Sequence, residues 1–323
     1  MMKPKFLLFF LFLSINVFAQ NFGNIKRYKV NYALAIKGTE RLIAIRSFVN
    51  DNQKYLLLVD PHNLNTKVEL AGHYSLSNLD FGNVQAIFKK SVYIQAMDIA
   101  LKNDRQMQNA GIDHAIPREK GITLTIDLCP SHKNLDRIIF QSLINEFKKI
   151  EQPVPLAVSA SGKWVLKHQE DLKWLKKMVS QKELDITWIN HSYNHEVNSL
   201  PLAENFLLAK NTDLAIEVLE NEKLMLKNGL IPSLFFRFPG LVSDQQVVEK
   251  TIAYGLIPIG SDAWLAKGQT PNAGSIVLIH GNGNEEFGVK DFIQLLKTKQ
   301  IDVKNKQWLM FDLRQGLEKE LEK

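Results

Sequence analysis

The chain has 323 residues, of which 45% are hydrophobic, so it is long enough to bury the core of one large domain or two smaller ones. Its formal net charge of +6 is mild, and no basic run is interleaved with aromatic residues as in nucleic-acid-binding proteins. The single cysteine, Cys129, excludes an intrachain disulfide, and the glycine-rich motifs of nucleotide-binding folds are absent from the sequence.

The first residues have the pattern of a secretory signal peptide. Two lysines precede an apolar run from Phe6 to Leu13, and Val17-Phe-Ala19 resembles a cleavage site. We therefore expect residues 1–19 to be removed, with cleavage near Ala19, and the mature protein to be secreted or periplasmic. The apolar run is too short to span a membrane, and we predict no transmembrane segment elsewhere.

Short strand-like runs separated by polar turns dominate residues 20–118. We predict strands in YKVNYALAI, RLIAIRSFV, KYLLLVD and KVEL, followed by a helix in YIQAMDIAL. A polar segment that contains Gly111 and Pro117 then marks a boundary. The predicted organisation is a β-rich N-terminal region, 20–118, whose role the sequence does not reveal, and a second domain, 119–323.

In the second domain, apolar strands alternate with amphipathic helices, which indicates parallel strands covered by helices in an open sheet or a barrel. We predict strands at 122–127, 154–160, 185–190, 233–238, 256–260 and 275–280, and a last strand in KQWLMFD. Helices are predicted in DRIIFQSLINEFKKI, DLKWLKKMV, VVEKTIAY and VKDFIQLLK, and in one long stretch from 203 to 227.

Reactive side chains stand where five of these strands end, which is where parallel α/β folds gather their chemistry. These residues are Asp127, His191, Arg237, Asp262 and His280. Their convergence on one pocket would favour a metal site at the pair His191 and His195. Taken alone, two histidines four positions apart are more often ordinary surface or core residues after a strand than metal ligands.

Four short motifs contain most of these residues, namely TIDLCP (125–130), HSYNH (191–195), RFPG (237–240) and IVLIH (276–280). In this order they resemble the motif series of the polysaccharide deacetylases, the NodB-homology or carbohydrate esterase family 4 domain. The resemblance covers about Gly121 to Asp312 and excludes the N-terminal region. It implies a distorted (β/α) barrel and a metal-dependent hydrolase, usually with zinc, that removes acetyl groups from an N-acetylated or O-acetylated polysaccharide.

The resemblance also implies a role for each residue of the motifs. His191 and His195 would be the metal ligands. Asp127 would be the general base, Arg237 would orient this base, and His280 would be the general acid. The backbone N–H of Gly240 would donate to the oxyanion. These residue types suit the reaction. Imidazoles bind zinc, and the two proton transfers of an acyl hydrolysis need a base and an acid, which a carboxylate and an imidazole can provide.

The chain departs from the family pattern at Leu128, where the family has a second aspartate that binds the metal. With two histidines alone, a divalent metal would be weakly bound. Water, Asp127 or Cys129 could complete its coordination, although Cys129 stands where the family has a glycine. Glu285 is either the acidic partner of His280 or a surface residue.

Asp262 and Trp264 approximate the family's tryptophan-containing motif. We expect Asp262 to pair with Arg237, and Trp264 to be either a wall of the pocket or a core aromatic. The expected partner is an acetylated glycan, and the motifs name neither the polysaccharide nor a protein partner. The alternative function is a catalytically impaired glycan-binding protein on the same fold, which has lost its metal through Leu128.

Overall fold

The computed structural model describes residues 22–117 and 120–318. The predicted signal peptide, residues 1–19, lies outside the described residues, and the predicted boundary at 118/119 falls in the gap between the two ranges. Within the described ranges, no helix combines the length and the hydropathy that crossing a membrane requires.

The N-terminal region is β-rich, as predicted. Its antiparallel sheet has five strands in the order β4-β3-β2-β1-β5. Asp51 and Asn52 both have positive φ in the two-residue turn between β2 and β3, as a type I′ hairpin turn requires. The elements are β1 (Lys26–Lys37), β2 (Glu40–Asn50), β3 (Gln53–Val59), β4 (Thr66–Leu70), β5 (Ser75–Asn78), α1 (Phe81–Ile87) and α2 (Val92–Lys102).

The second domain is built on a curled parallel sheet that forms a half-barrel, which confirms the predicted fold class. Its strands are β6 (Gly121–Leu128), β7 (Val154–Ala160), β8 (Leu184–Asn190), β9 (Phe235–Phe236), β10 (Ile257–Pro258), β11 (Ala263–Trp264), β12 (Ile276–His280) and β13 (Leu309–Met310). The order is β10-β9-β8-β7-β6-β12-β11, and β13 also pairs with β6. The strand pairs of this sheet are parallel, and each strand predicted from the sequence overlaps an observed one, whereas β11 was not predicted.

Helices connect the parallel strands and bury their apolar faces against the sheet. They are α3 (Arg137–Phe147), α4 (Gly162–Lys167), α5 (Gln169–Ser180), α6 (Asn221–Lys227), α7 (Gln245–Ala253), α8 (Glu286–Lys304) and α9 (Leu313–Glu318). In α3, for example, Ile139, Leu143 and Phe147 are fully buried at the helical spacing that the sequence indicates.

The single long helix predicted for 203–227 is wrong. The chain instead forms two 3-10 turns, Leu202–Glu204 and Phe206–Leu208, followed by a π-helical turn, Ile216–Glu220, that continues into α6. Oδ1 of Asn205 accepts hydrogen bonds from the backbone N–H of Asn198 and of Phe206, so this side chain competes with helical hydrogen bonding.

The polar segment before the boundary is ordered against the open side of the half-barrel. The backbone N–H of Ile112 donates to the carbonyl of Pro258 at 3.0 Å, and its carbonyl accepts from Gly260 at 2.8 Å. Further along, the N–H of Ala115 donates to Gly274 at 2.9 Å. This segment therefore runs from the end of β10 to the start of β12 and covers sheet edges that would otherwise be unpaired.

The two sheets share a hydrophobic core. Ile43 and Ile45 of β2 lie in the same buried cluster as Ile189 of β8 and Phe236 of β9. A fully buried ion pair crosses the same boundary, since Nε and Nη2 of Arg46 donate to the two carboxylate oxygens of Glu222 at 2.7 and 2.8 Å. The N-terminal sheet thus packs as a wall of the second domain.

We expect Arg46→Met to lower the free energy of unfolding by about 3–5 kcal/mol, because it leaves the buried Glu222 carboxylate without its cation, with the Tyr28 hydroxyl still donating to it. Replacing both residues, as in Arg46→Met/Glu222→Leu, should regain most of this loss. Urea unfolding measures both. Lys67→Met, which breaks an exposed pair with Glu40, is the control and should cost at most about 1 kcal/mol. Equal losses for the two single variants would contradict the prediction.

Candidate active site

The end of β6 presents alternate side chains to opposite faces of the sheet. Leu128 is fully buried in the core beneath the helices, where its side chain lies with Ile126 and Ile139. Asp127 and Cys129 are its neighbours in sequence, so their side chains face the other way. Sγ of Cys129 lies 3.5 Å from Nε2 of His191, and a carboxylate oxygen of Asp127 lies 3.7 Å from the same nitrogen.

The HSYNH turn brings two imidazoles together after β8. Ser192 and His195 have φ of +68° and +48°, and the turn places the rings of His191 and His195 4.7 Å apart. Nδ1–H of His191 donates to the carbonyl of Arg237 at 2.9 Å. Because a carbonyl can only accept, Nδ1 carries a proton, and Nε2 is the nitrogen that faces Cys129 and Asp127.

Three side chains in this site could hold a metal ion. The ligand atoms of Cys129, His191 and His195 all lie within 4.8 Å of one another, and no other such group of three occurs in the described ranges. Both ring nitrogens of His195 are buried without a hydrogen-bond partner, as is Oδ1 of Asp127. Buried polar atoms are normally satisfied, so this set of donors fits a cation that would satisfy them. Cys129 thus lies where it could supply the third ligand that Leu128 does not provide.

The charge of Arg237 acts on Asp127 without a direct hydrogen bond. Arg237 is fully buried, and its Nη2 donates to Oγ1 of Thr125 at 2.9 Å. Burial raises the pKa of Asp127, but the positive charges of Arg237, His191 and His280 outweigh this effect, and the pKa lies below its usual value. Asp127 is therefore an ionised carboxylate at neutral pH.

His280 has an acidic partner, which settles the alternatives left open for Glu285. Nδ1 of His280 lies 2.8 Å from Oε2 of Glu285, and Nε1–H of Trp264 donates to the same oxygen at 2.9 Å. The Trp264 ring is tilted over His280, with the centroids 5.7 Å apart. Trp264 is thus half-buried beside the site and fixes the carboxylate that holds His280.

Burial also affects His280, whose pKa it lowers. The negative charge of Cys129, the hydrogen bonds of His280 with Cys129 and Glu285, and the charge of Asp127 outweigh this effect and raise the pKa well above its usual value. The pKa of Glu285 is correspondingly lowered, because its hydrogen bond with His280 outweighs burial, which would raise it.

Asp262 does not form the expected pair with Arg237. Its carboxylate instead accepts from the backbone N–H of Ile276 at 3.0 Å and from Oγ of Ser275 at 3.2 Å, and it pairs with His114 at 2.7 Å. Asp262 follows β10 at the edge of the sheet, where it faces the segment that covers this edge. It therefore stabilises that segment, and it does not line the site.

Gly240 lies in a 3-10 turn, Pro239–Leu241, and has φ of +61°. A Cβ at this position would lie 2.5 Å from the ring of Phe206, so any larger residue would collide with it. Phe206 also meets His195 edge-on, with the ring centroids 6.1 Å apart. The sequence motifs gave Phe206 no role, since it comes from the stretch that was predicted to be helical.

A cavity of about 730 Å³ opens onto these groups. Charged and amide side chains surround the catalytic candidates, which is a lining that suits a polar ligand. The lining residues are Cys129, Pro130, Lys163, Asn194, His195, Glu196, Val197, Asn198, His280, Asn284 and Glu285.

Comparison with known proteins gives a match in each part of the chain. A family model described as the RP012 protein N-terminal domain matches residues 26–94. A family 4 carbohydrate esterase from Bacillus anthracis is 18% identical, with 68% of this chain and 90% of that chain covered and a TM-score of 0.42. A family 4 pseudoenzyme from the same organism is 17% identical, with 65% and 69% covered and a TM-score of 0.44. PdaA from Bacillus subtilis, also of family 4, is 19% identical, with 69% and 88% covered and a TM-score of 0.43. These three proteins are members of carbohydrate esterase family 4, the family that the motifs of this chain resemble.

Proposed function

We propose that the protein is a secreted, metal-dependent hydrolase that removes acetyl groups from an N-acetylated or O-acetylated polysaccharide. The observation that carries this proposal is the position of Cys129, His191 and His195, which lie together beside Asp127. The motif order supports the acetylated glycan as substrate, and the pattern of residues 1–19 supports secretion.

Cys129, His191 and His195 are the residues that would hold the metal. Two imidazoles and a thiolate suit zinc best. Catalytic zinc sites typically have three protein ligands and leave one coordination position open. When bound, the ion supplies a Lewis acid that polarises an acetyl carbonyl and makes water more acidic.

Two side chains of the protein would move the protons. Asp127, ionised because its pKa is lowered, would accept a proton from the attacking water. His280 would give a proton to the departing nitrogen or oxygen, because the Glu285 carboxylate beside it favours the protonated imidazole. Its Nδ1 is held by Glu285, which leaves Nε2 as the nitrogen that can donate.

The alternative, a catalytically impaired glycan-binding protein, rested on the loss of the metal ligand at Leu128. The thiol of Cys129 lies on the opposite face of β6 from Leu128, next to His191, so the argument for a lost metal is weaker. We therefore favour the enzyme, because base, acid and three candidate ligands are all present.

Zinc binding and acetate release test the proposal on the mature chain. We expect stoichiometric zinc after dialysis, and release of acetate from chitooligosaccharides or acetylated xylan that a chelator abolishes and added zinc restores. Zinc binding no stronger than that of His195→Ala would overturn the metal centre. Retained glycan binding without any acetate release would instead favour the alternative function.

Replacing Glu285 with glutamine is expected to move the alkaline limb of the pH–rate profile to lower pH by roughly one unit or more. The hydrogen bond to the Glu285 carboxylate helps to raise the pKa of His280, and an amide oxygen accepts more weakly, so the general acid loses its proton at lower pH in the variant. Initial rates of acetate release between pH 6 and 10 measure this shift. Glu286→Gln, at the exposed neighbouring position, is the control, and identical profiles for the two variants would contradict the prediction.

A further inference from the structure

Glu217 lies behind the HSYNH turn and belongs to none of the motifs. It sits in the π-helical turn Ile216–Glu220 and is only 5% exposed. Turns of this kind insert one residue into a helix and are frequent at functional sites. A buried carboxylate is costly unless hydrogen bonds compensate it, so the partners of Glu217 indicate what it does.

Each hydrogen bond that the structure gives to the Glu217 side chain comes from the HSYNH turn. Oε2 accepts from Oγ of Ser192 and, at 2.8 Å, from the backbone N–H of Asn194. Oε1 accepts from Nδ2 of Asn194 at 2.7 Å. The hydroxyl of Ser192 in turn accepts from the backbone N–H of His195 at 3.0 Å. A chain of hydrogen bonds therefore leads from Glu217 to the residue whose ring nitrogens are unpartnered.

The turn needs such support because its backbone is unfavourable. Ser192 and His195 both adopt the left-handed region, which residues with a side chain rarely occupy. The opposite side of the turn is held by α4, where the N–H groups of Gly162 and Lys163 donate to the carbonyls of Ser192 and Tyr193 at 3.0 Å each. Glu217 supplies the restraint on the remaining side.

We propose that Glu217 is a positioning residue of the metal centre, which fixes the HSYNH turn so that the ring of His195 faces Cys129 and His191. This inference rests on the proposed function, since it assigns Glu217 to the binding of the same metal. Glutamine has the shape of glutamate but carries an NH₂ group in place of one oxygen. In one orientation this group faces the backbone N–H of Asn194 and the hydroxyl of Ser192, and in the other it faces the side-chain NH₂ of Asn194. The turn would then lose at least one acceptor.

The test is the zinc affinity of Glu217→Gln, measured by competition with a chromophoric chelator. We expect a loss of about 10- to 100-fold, as is usual when a residue that supports metal ligands is changed. The visible spectrum of the cobalt-loaded variant should also change, because it reports the geometry of the ligands. Glu220→Gln is the matched control in the same turn, where Glu220 only pairs with Lys223 near the surface, and its affinity should be that of the wild type.

Ser192→Ala provides a second variant that keeps the carboxylate. It removes the hydroxyl between Glu217 and His195, so we expect a weaker loss of zinc affinity that is not additive with that of Glu217→Gln. If Glu217→Gln does not fold, Ser192→Ala still tests the chain of hydrogen bonds from Glu217 to His195. If the wild-type protein binds zinc and both variants keep its affinity and cobalt spectrum, the role of Glu217 is overturned and the proposed function is not. Wild-type protein that binds no zinc would overturn the proposed function as well.

Discussion

Replacement of Cys129 by serine should lower the zinc affinity at least about a hundredfold, beyond the 10- to 100-fold loss typical of residues that only support ligands. The thiolate is the anionic member of the candidate ligand set, and Leu128 lies on the other face of the strand, where it cannot compensate. Serine has nearly the same shape, so the fold should be kept. Chelator competition measures the affinity, and circular dichroism checks the fold.

The cobalt-loaded protein gives an independent view of the same variant. Wild-type protein should show the intense charge-transfer band of a thiolate bound to cobalt, and Cys129→Ser should lack it. Unchanged zinc affinity would return the third ligand to Asp127 or water. Activity that resists chelators but is lost in Cys129→Ser would contradict the metal mechanism and make the thiol a nucleophile, for which its distance of 3.5 Å from His191 is short enough.

The variant Asp127→Asn should reduce the turnover number by about 10²- to 10⁴-fold while zinc affinity stays close to that of the wild type. Asparagine keeps the shape of the side chain but cannot take a proton from water. Steady-state rates of acetate release and chelator competition, performed on the same preparation, separate the two effects. Loss of zinc together with loss of activity would show that Asp127 is a ligand and would exclude it as the free base.

Much of the fold could be predicted because the strands and helices of this chain have strong local patterns. The strands 122–127 and 154–160 are short runs rich in β-branched and aliphatic residues with Gly or Pro just before them, and the structure contains them almost unchanged. The ends of such strands meet at one edge, so Asp127, His191 and His280 could be grouped into one site from the sequence.

The remaining features depend on contacts between distant parts of the chain. His114 and Asp262 are 148 positions apart, and no local pattern pairs them. Phe206 and Glu217 lie in a stretch whose composition suits a helix, but Asn205 and the positive φ of Phe206 divide it, and tertiary contacts then decide where each side chain points. The role of Cys129 was left open because family comparison placed the ligand one residue earlier, and only the alternation of β6 shows which face each side chain takes.

The core shared by the two sheets has a consequence for the unfolding of the protein. Two independent domains would melt in separate steps, whereas Ile45, Phe236 and the buried pair of Arg46 and Glu222 must be exposed together. Calorimetry of the protein should therefore show one cooperative transition, with equal calorimetric and van't Hoff enthalpies. A substitution that weakens this boundary should lower the melting temperature of the N-terminal sheet and of the half-barrel by the same amount.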